Sequence, residues 1–374
     1  MKNFLFKECF ILGFAGLMLV SPIYAEEAFV TKTTPLLDAS SKEPKVIYDT
    51  DNRIEVFQAI STAQKAAKAV VALVKTNDLR RLDNGAYRFK RVEPVGRERS
   101  WCPSERFFEQ PAPAYCTGFM VGEDLIATAG HCIKKSAGQS CNDVSFIFDF
   151  DVKRNGNART VFAERDVYQC KEVLGGELSS ATKSDWRVVR VAKIKGREPV
   201  QIRREGKVDS GESLTVIGHP VGLPKKIASG ATVKQNHQSV YFVTDLDTYG
   251  GNSGSPVFNT ESIRRGQPMV EGILVRGATD FVRARGRSCV VSNFCDSFGG
   301  ESCGGESVTR MSQVSVPIPL ITATAPIEPS PPVVPAPAPA PARPGQECAV
   351  SDDVRTDETA FLNPIIELLE GCAP

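Results

Sequence analysis

The chain has 374 residues, with 45 Lys and Arg against 44 Asp and Glu, a formal net charge of +1. So even a balance argues against nucleic acid as a principal partner. A chain of this length can bury a sizeable core without needing disulfides to fold.

In chain order, residues 1–25 read as a signal peptide. Lys2 and Lys7 precede an apolar run from Phe10 to Val20, and Ala25 is a small residue before Glu26. That run is too short to span a bilayer. Cys9 does not stand where a lipid-attachment cysteine would, and no later stretch reaches the length of a membrane span. Export without stable membrane insertion is therefore expected, to the periplasm or beyond. The other cysteines, ten of the eleven, then fall in an oxidising compartment where disulfides are the default. With no Cys-x-x-Cys pair and only three histidines, no metal and no cofactor is expected.

Residues 26–45 are polar and turn-rich, a possible propeptide or disordered segment. From Val46 the chain reads as globular. Ser61 or Thr62 can cap a predicted helix through Ala63, Ala66, Ala67, Val70, Val71 and Val74. Short apolar runs follow. "GFMVG" and "LIATAG" flank the Glu123-Asp124 turn, and "VSFIFDF", "WRVVRV", "SLTVIG", "SVYFVT" and "EGILVRG" come after. Many short strands with Gly-rich turns predict an all-β sandwich or barrel. Residues 46–320 are the expected main domain and 321–345 a Pro-rich linker, since Pro326 to Pro344 holds nine prolines in 19 residues. Residues 346–374 form a short amphipathic segment that Cys348 and Cys372 can staple.

The stretch "LDTYGGNSGSPVF" gathers Gly250, Gly251 and Gly254 around Ser253. Such a run is either a tight turn or a device that aims one hydroxyl. A serine hydroxyl is a weak nucleophile until a base takes its proton, and the candidate bases are His131, His219 and His237. His131 stands in "ATAGHC", inside the stretch framed by Cys116 and Cys132.

"ATAGHC", "SDWRVVRV" and "GGNSGSP" are similar, in that order, to the three signature segments of the chymotrypsin-like (trypsin-like) serine proteases. The Cys116–Cys132 spacing matches the disulfide that frames the histidine in that family. The opening "VIYDTDNRIEV" resembles the start of the mature chain in a bacterial branch that includes the glutamyl endopeptidases. The resemblance covers Val46 to Pro319. It implies a double six-stranded antiparallel β-barrel with short helices, and a secreted endopeptidase acting on proteins or peptides through an acyl-enzyme. A catalytically silent binding protein on the same scaffold is the alternative.

Carried over, His131 is the expected general base, Asp185 its orienting carboxylate and Ser253 the nucleophile. Asp166, in "ERDVYQC", is the rival carboxylate. The N–H groups of Gly251 and Ser253 are the expected oxyanion hole, where losing one donor costs about 3–4 kcal/mol. The expected substrate-binding residues are Asp247, Thr248 and Gly277. Asp247, six residues before the nucleophile, would sit at the base of the specificity pocket and pair with Lys or Arg, unless it turns away to cap a loop. Leu274 replaces the histidine that glutamyl endopeptidases use, which speaks against acidic specificity. Arg276 replaces the usual aromatic, and Tyr249 a trypsin cysteine. Lys45-Val46 lies where self-processing would fit a zymogen. Asn252 replaces the aspartate with which trypsin binds its new N-terminus.

Overall fold

A computed structural model describes residues 47–48, 50–295, 298–299 and 303–321. The expected signal peptide, propeptide, proline linker, C-terminal segment and Cys348–Cys372 pair lie outside the described residues. Among the described residues, no helix is long and apolar enough to cross a membrane.

Two antiparallel sheets build the fold. The first contains β1 (Val70–Lys75), β2 (Cys116–Gly122), β3 (Leu125–Thr128), β4 (Val144–Phe148), β5 (Val167–Gln169), β6 (Glu172–Leu178) and β7 (Asp185–Arg190), in the order β5-β4-β1-β2-β3-β7-β6. It curls into a half-barrel over Phe119, Phe146, Phe148 and Val188, all buried. The second contains β8 (Ser213–Gly218), β9 (Lys226–Gln235), β10 (Tyr241–Thr244), β11 (Pro256–Asn259), β12 (Met269–Arg276) and β13 (Glu306–Arg310). Its order is β12-β11-β8-β9-β10-β13, and pairing of β13 with β12 closes it into a six-stranded barrel. Leu214, Val216, Phe242, Val257, Leu274 and Val308 fill that barrel. This is the double-barrel architecture of the chymotrypsin-like fold, with the first half open rather than closed.

The sequence pattern foresees most strands but overextends one helix. The helix covers Ser61–Ala67, with Ile60 rather than Ser61 or Thr62 as its cap residue, and Val70–Lys75 is strand β1. The spacing of Ala63, Ala66 and Ala67 is helical, but the run Val70-Val71-Ala72-Leu73-Val74 is buried at every position. A central strand covered on both faces reads as continuous apolar sequence, and β-branched valines favour it.

Four disulfides brace the described chain: Cys102–Cys289, Cys116–Cys132, Cys141–Cys170 and Cys295–Cys303. Only the Cys116–Cys132 pairing was expected from the sequence. The other three join residues whose partners depend on the fold.

One buried ionic cluster ties the loop after β7 to the ends of β4 and β5. Arg197 donates to Asp149 Oδ1 at 3.0 Å and Oδ2 at 2.8 Å, and to Asp166 Oδ1 at 2.7 Å. Its guanidinium lies over the Phe148 ring, 4.3 Å from the centroid. Arg159 reaches the other Asp166 oxygen at 2.6 Å. Breaking such a pair leaves buried charge uncompensated. Arg197→Met is expected to lower unfolding free energy by about 3–5 kcal/mol, read as an earlier midpoint in urea.

Candidate active site

The register of the first sheet brings two distant residues together. Arg187 in β7 pairs with Thr128 in β3. Three residues beyond Thr128, the turn Gly130–Cys132 carries His131, and two residues before Arg187, β7 begins at Asp185. Antiparallel strands run in opposite senses, so both residues emerge at the same end. His131 Nδ1 and Asp185 Oδ2 are 2.8 Å apart, and the His131 N–H donates to Asp185 Oδ1 at 3.1 Å. Asp185 is buried, while the imidazole is about one-third exposed at 32%. Burial alone would push the Asp185 carboxyl up, but its bonds with His131 outweigh burial and hold it below the ordinary carboxylate range. Asp185 is thus an ionised acceptor at neutral pH. Arg276 places a cation near it, with Nη1 3.9 Å from Oδ2, while Nη2 donates to the Lys183 carbonyl at 2.8 Å.

Ser253 belongs to the other barrel. It lies in the turn before β11, and Thr117 of β2 holds that turn in place. The Thr117 N–H donates to the Ser253 carbonyl at 2.8 Å. The Thr117 hydroxyl donates to the Gly251 carbonyl at 3.0 Å and accepts from the His219 N–H, also at 3.0 Å. The Thr117 carbonyl in turn accepts from Thr128 Oγ1 at 2.6 Å. Cys116, the next residue back, bridges to Cys132 beside His131. The serine turn and the histidine turn are therefore fixed to the same two residues of β2.

The glycines of the serine turn have separate tasks. Gly251 has φ +88° and Gly254 φ +89°, left-handed values that favour glycine. At Gly254 a side chain would also collide with the Thr117 carbonyl and the Thr128 hydroxyl. The N–H groups of Gly251 and Ser253 donate to no protein acceptor among the described residues, whereas the Gly254 N–H is taken by Leu274.

The other candidates are placed elsewhere. Asp166 is committed to Arg159 and Arg197. His219 is fully buried, stacked on Phe150 at 5.7 Å, and bonds Leu223 through Nδ1. Burial, aided by the Lys225 charge, pushes its pKa well below the ordinary histidine value. His237 is exposed. Cys116, His131 and Cys132 cluster within 4.8 Å, but both sulfurs are spent in the disulfide and offer no thiolate.

Asp247 departs from the expectation of a carboxylate open to substrate. Its Oδ1 accepts from the Tyr48 N–H at 2.7 Å and its Oδ2 from the Asn52 N–H at 3.1 Å. It is the loop-capping alternative that the structure draws, with the carboxylate bracketing the N-terminal segment. Burial pushes its carboxyl up to about 6, against the pull of those two N–H groups. Thr248 is buried and its hydroxyl is bonded by Asn252. Gly277 is exposed, at the end of β12. Nothing in the sequence flags Thr117, because a lone strand threonine carries no pattern. Arg276 is visible only as a departure from the family.

The closed barrel and the curled half-barrel give the fold a chymotrypsin-like architecture, with His131 and Asp185 in contact. Residues 116–263 match the family model described as a trypsin-like peptidase domain, and the chain carries such a domain. It is 28% identical over 156 residues to a glutamyl endopeptidase of Bacillus licheniformis, an overlap of 40% of this chain and 46% of that protein. The chain thus spans about half the length of that relative. Among solved structures, a Glu endopeptidase in complex with MPD matches 62% of this chain and 88% of its own, at 15% identity and TM-score 0.37. The VesB protease of Vibrio cholerae matches 71% and 65%, at 15% identity and TM-score 0.40.

Asp280 accepts from the Gly250 N–H at 2.7 Å, and its carboxyl is pushed up to about 6, by burial first, against that bond and the Arg99 and Arg53 charges. An unfolded aspartate titrates near 3.9. As pH falls from about 6 to about 4, the folded protein therefore binds this proton before the unfolded chain does, and this group adds stability. Asp280→Asn is expected to shrink the rise in urea midpoint between pH 7 and pH 5; an unchanged rise would count against it.

Proposed function

We propose that the protein is a serine endopeptidase in which Ser253 is the nucleophile, His131 the general base and Asp185 the residue that orients the imidazole. The observation that carries this reading is the 2.8 Å contact between His131 Nδ1 and the buried Asp185 carboxylate, on a turn linked through β2 to the Ser253 turn. With Nδ1–H donated to Asp185, Nε2 is the basic ring atom. Ser253 Oγ bonds to the substrate carbonyl carbon while its proton passes to Nε2. The negative oxygen of the tetrahedral intermediate takes the N–H groups of Gly251 and Ser253. Nε2 then gives the proton to the leaving nitrogen, the C–N bond breaks, and an acyl-enzyme remains. Water repeats the sequence, giving one proton to Nε2 and its oxygen to the carbon, and Ser253 is restored when Nε2 returns the proton.

The substrates are proteins or peptides, and the preference is for a basic residue, Lys or Arg, before the scissile bond. The Bacillus relative is a glutamyl endopeptidase, which points to glutamate instead. Against that, Leu274 is buried and apolar, Arg276 is engaged by Asp185 and the Lys183 carbonyl, and the Glu306 carboxylate lies beside Gly277. Four disulfides among the described residues support an exported protein with residues 1–25 as its signal peptide. Residues 46–320 are proposed as the peptidase domain. A groove of about 410 Å³ beside His131, lined in part by Lys75, Tyr115, Ile133 and Lys135, offers room for a chain on one side of the site.

A fluorophosphonate probe reads the nucleophile directly. Wild type is expected to label and Ser253→Ala not to. Asp185→Asn is expected to lower kcat by about 10⁴-fold, since it stabilises the wrong imidazole tautomer. Asp166→Asn should instead lower stability and leave the folded fraction active. Equal labelling of wild type and Ser253→Ala, or none in either, removes the enzyme reading and leaves a silent binding scaffold.

A further inference from the structure

β12 follows the serine turn closely. The Gly254 N–H donates to the Leu274 carbonyl at 2.7 Å, and the Leu274 N–H to the Ser255 carbonyl at 3.0 Å. Val275, Arg276 and Gly277 continue along that edge, and β13 lies beside them, with Arg276 paired to Ser307. Glu306 precedes Ser307 and is 3% exposed. A side chain on exposed Gly277 would overlap both oxygens of the Glu306 carboxylate. The missing side chain at 277 therefore leaves this carboxylate directly beneath the open strand.

Glu306 is also the odd one out in its charge pairing. Two other glutamates are buried, and each has a cation: Lys226 Nζ is 2.9 Å from Glu55, and Arg203 is bonded to Glu271. Among the described residues no Lys or Arg comes within 4.0 Å of Glu306, whose one hydrogen bond shown is a long one from the Ala278 N–H at 3.4 Å. Burial first, and then the like charges of Asp280 and Asp247, push its carboxyl well above the ordinary range. A second observation converges on the same place. Tyr48 is only 9% exposed, and its hydroxyl finds no well-aligned side-chain or backbone partner, the Gly305 amide being the polar group at hand. After burial the strongest influence raising its pKa is Glu306. A buried carboxylate and a buried hydroxyl, both short of partners, form a receptor for a cation that the chain itself does not supply.

We propose that Glu306, rather than Asp247, is the specificity-determining carboxylate, receiving the ammonium or guanidinium of a lysine or arginine that precedes the scissile bond. Tyr48 offers its oxygen to the same cation. The role rests on the peptidase reading and names the residue behind its preference. Asp247 holds the N-terminal segment against the loop opposite, so it shapes this receptor without being its contact.

The test uses the full chain and fluorogenic peptides that differ only in the residue before the scissile bond: Lys, Arg, Gln, Glu or Leu. Wild type is expected to favour Lys and Arg. Glu306→Gln is expected to cut the Lys-to-Gln ratio of kcat/KM on the order of 100-fold, in protein that still takes a fluorophosphonate label. Gly277→Ala, which displaces the Glu306 carboxylate, should cut the same ratio. Retention of the wild-type ratio by labelled Glu306→Gln overturns the proposal, and so does a labelled wild type that favours Glu or Leu. A wild type that does not label at all overturns the peptidase reading and this one with it.

Discussion

The placement of His131 and Asp185 relative to Ser253 depends on Thr117. His131 and Asp185 come from one sheet and Ser253 from the other, so their relation is only as firm as the seam between the two. Thr117 fastens that seam with its N–H, its hydroxyl and its carbonyl, which reach Ser253, Gly251, His219 and Thr128. All of these groups are buried or nearly so, and an unmade hydrogen bond there would cost about 1–3 kcal/mol. The strand is therefore held at one setting relative to the serine turn. The neighbouring Cys116–Cys132 bridge extends the same fixation to the histidine turn. Geometry of this kind, locked by packing and second contacts, is what a proton relay requires, because a displacement of about 1 Å can cost a hundredfold in rate.

Charge distribution divides the acidic residues into two groups. Asp166, Asp149, Glu55 and Glu271 meet Arg or Lys and serve the fold. Asp247, Asp280 and Glu306 gather near the serine turn, where backbone amides rather than cations are their hydrogen-bond partners. The first group is the ordinary solution for buried charge. The second is a concentration of negative potential in a desolvated place, tolerated because raised pKa values let some of these carboxyls stay neutral until a counter-charge arrives. Arg276, one strand position before Gly277, is held away by Asp185 and the Lys183 carbonyl.

Much of the fold could be read from short apolar runs and turns, because alternation and β-branched residues are local signals. The hairpin around Glu123-Asp124 belongs to that class. The pairing of Cys116 with Cys132 and the choice of His131, Asp185 and Ser253 came instead from segments that resemble a family's signatures; the structure has the bridge and sets His131 against Asp185. Asp247 was legible as a position but not as an orientation, since its partners Tyr48 and Asn52 lie far back along the chain. Glu306 carries no local mark at all; what distinguishes it is Gly277 on the adjacent strand. The valines of β1 deceived for a related reason. Their spacing suits a helix, and only burial on both faces, a property of the assembled sheet, makes them a strand.

The bracket between Asp247 and Tyr48 spans 199 positions of sequence, and Ile47–Tyr48 also pairs with Phe294–Cys295. The amino-terminal strand is thus among the first parts synthesised and among the last to find its neighbours. Contacts of such separation form only after most intervening chain has condensed. A ribosome-bound fragment ending before residue 294 lacks the Phe294–Cys295 partner on which that strand sits. Any activity that needs this strand in place would arise only once Phe294 and Cys295 have joined it.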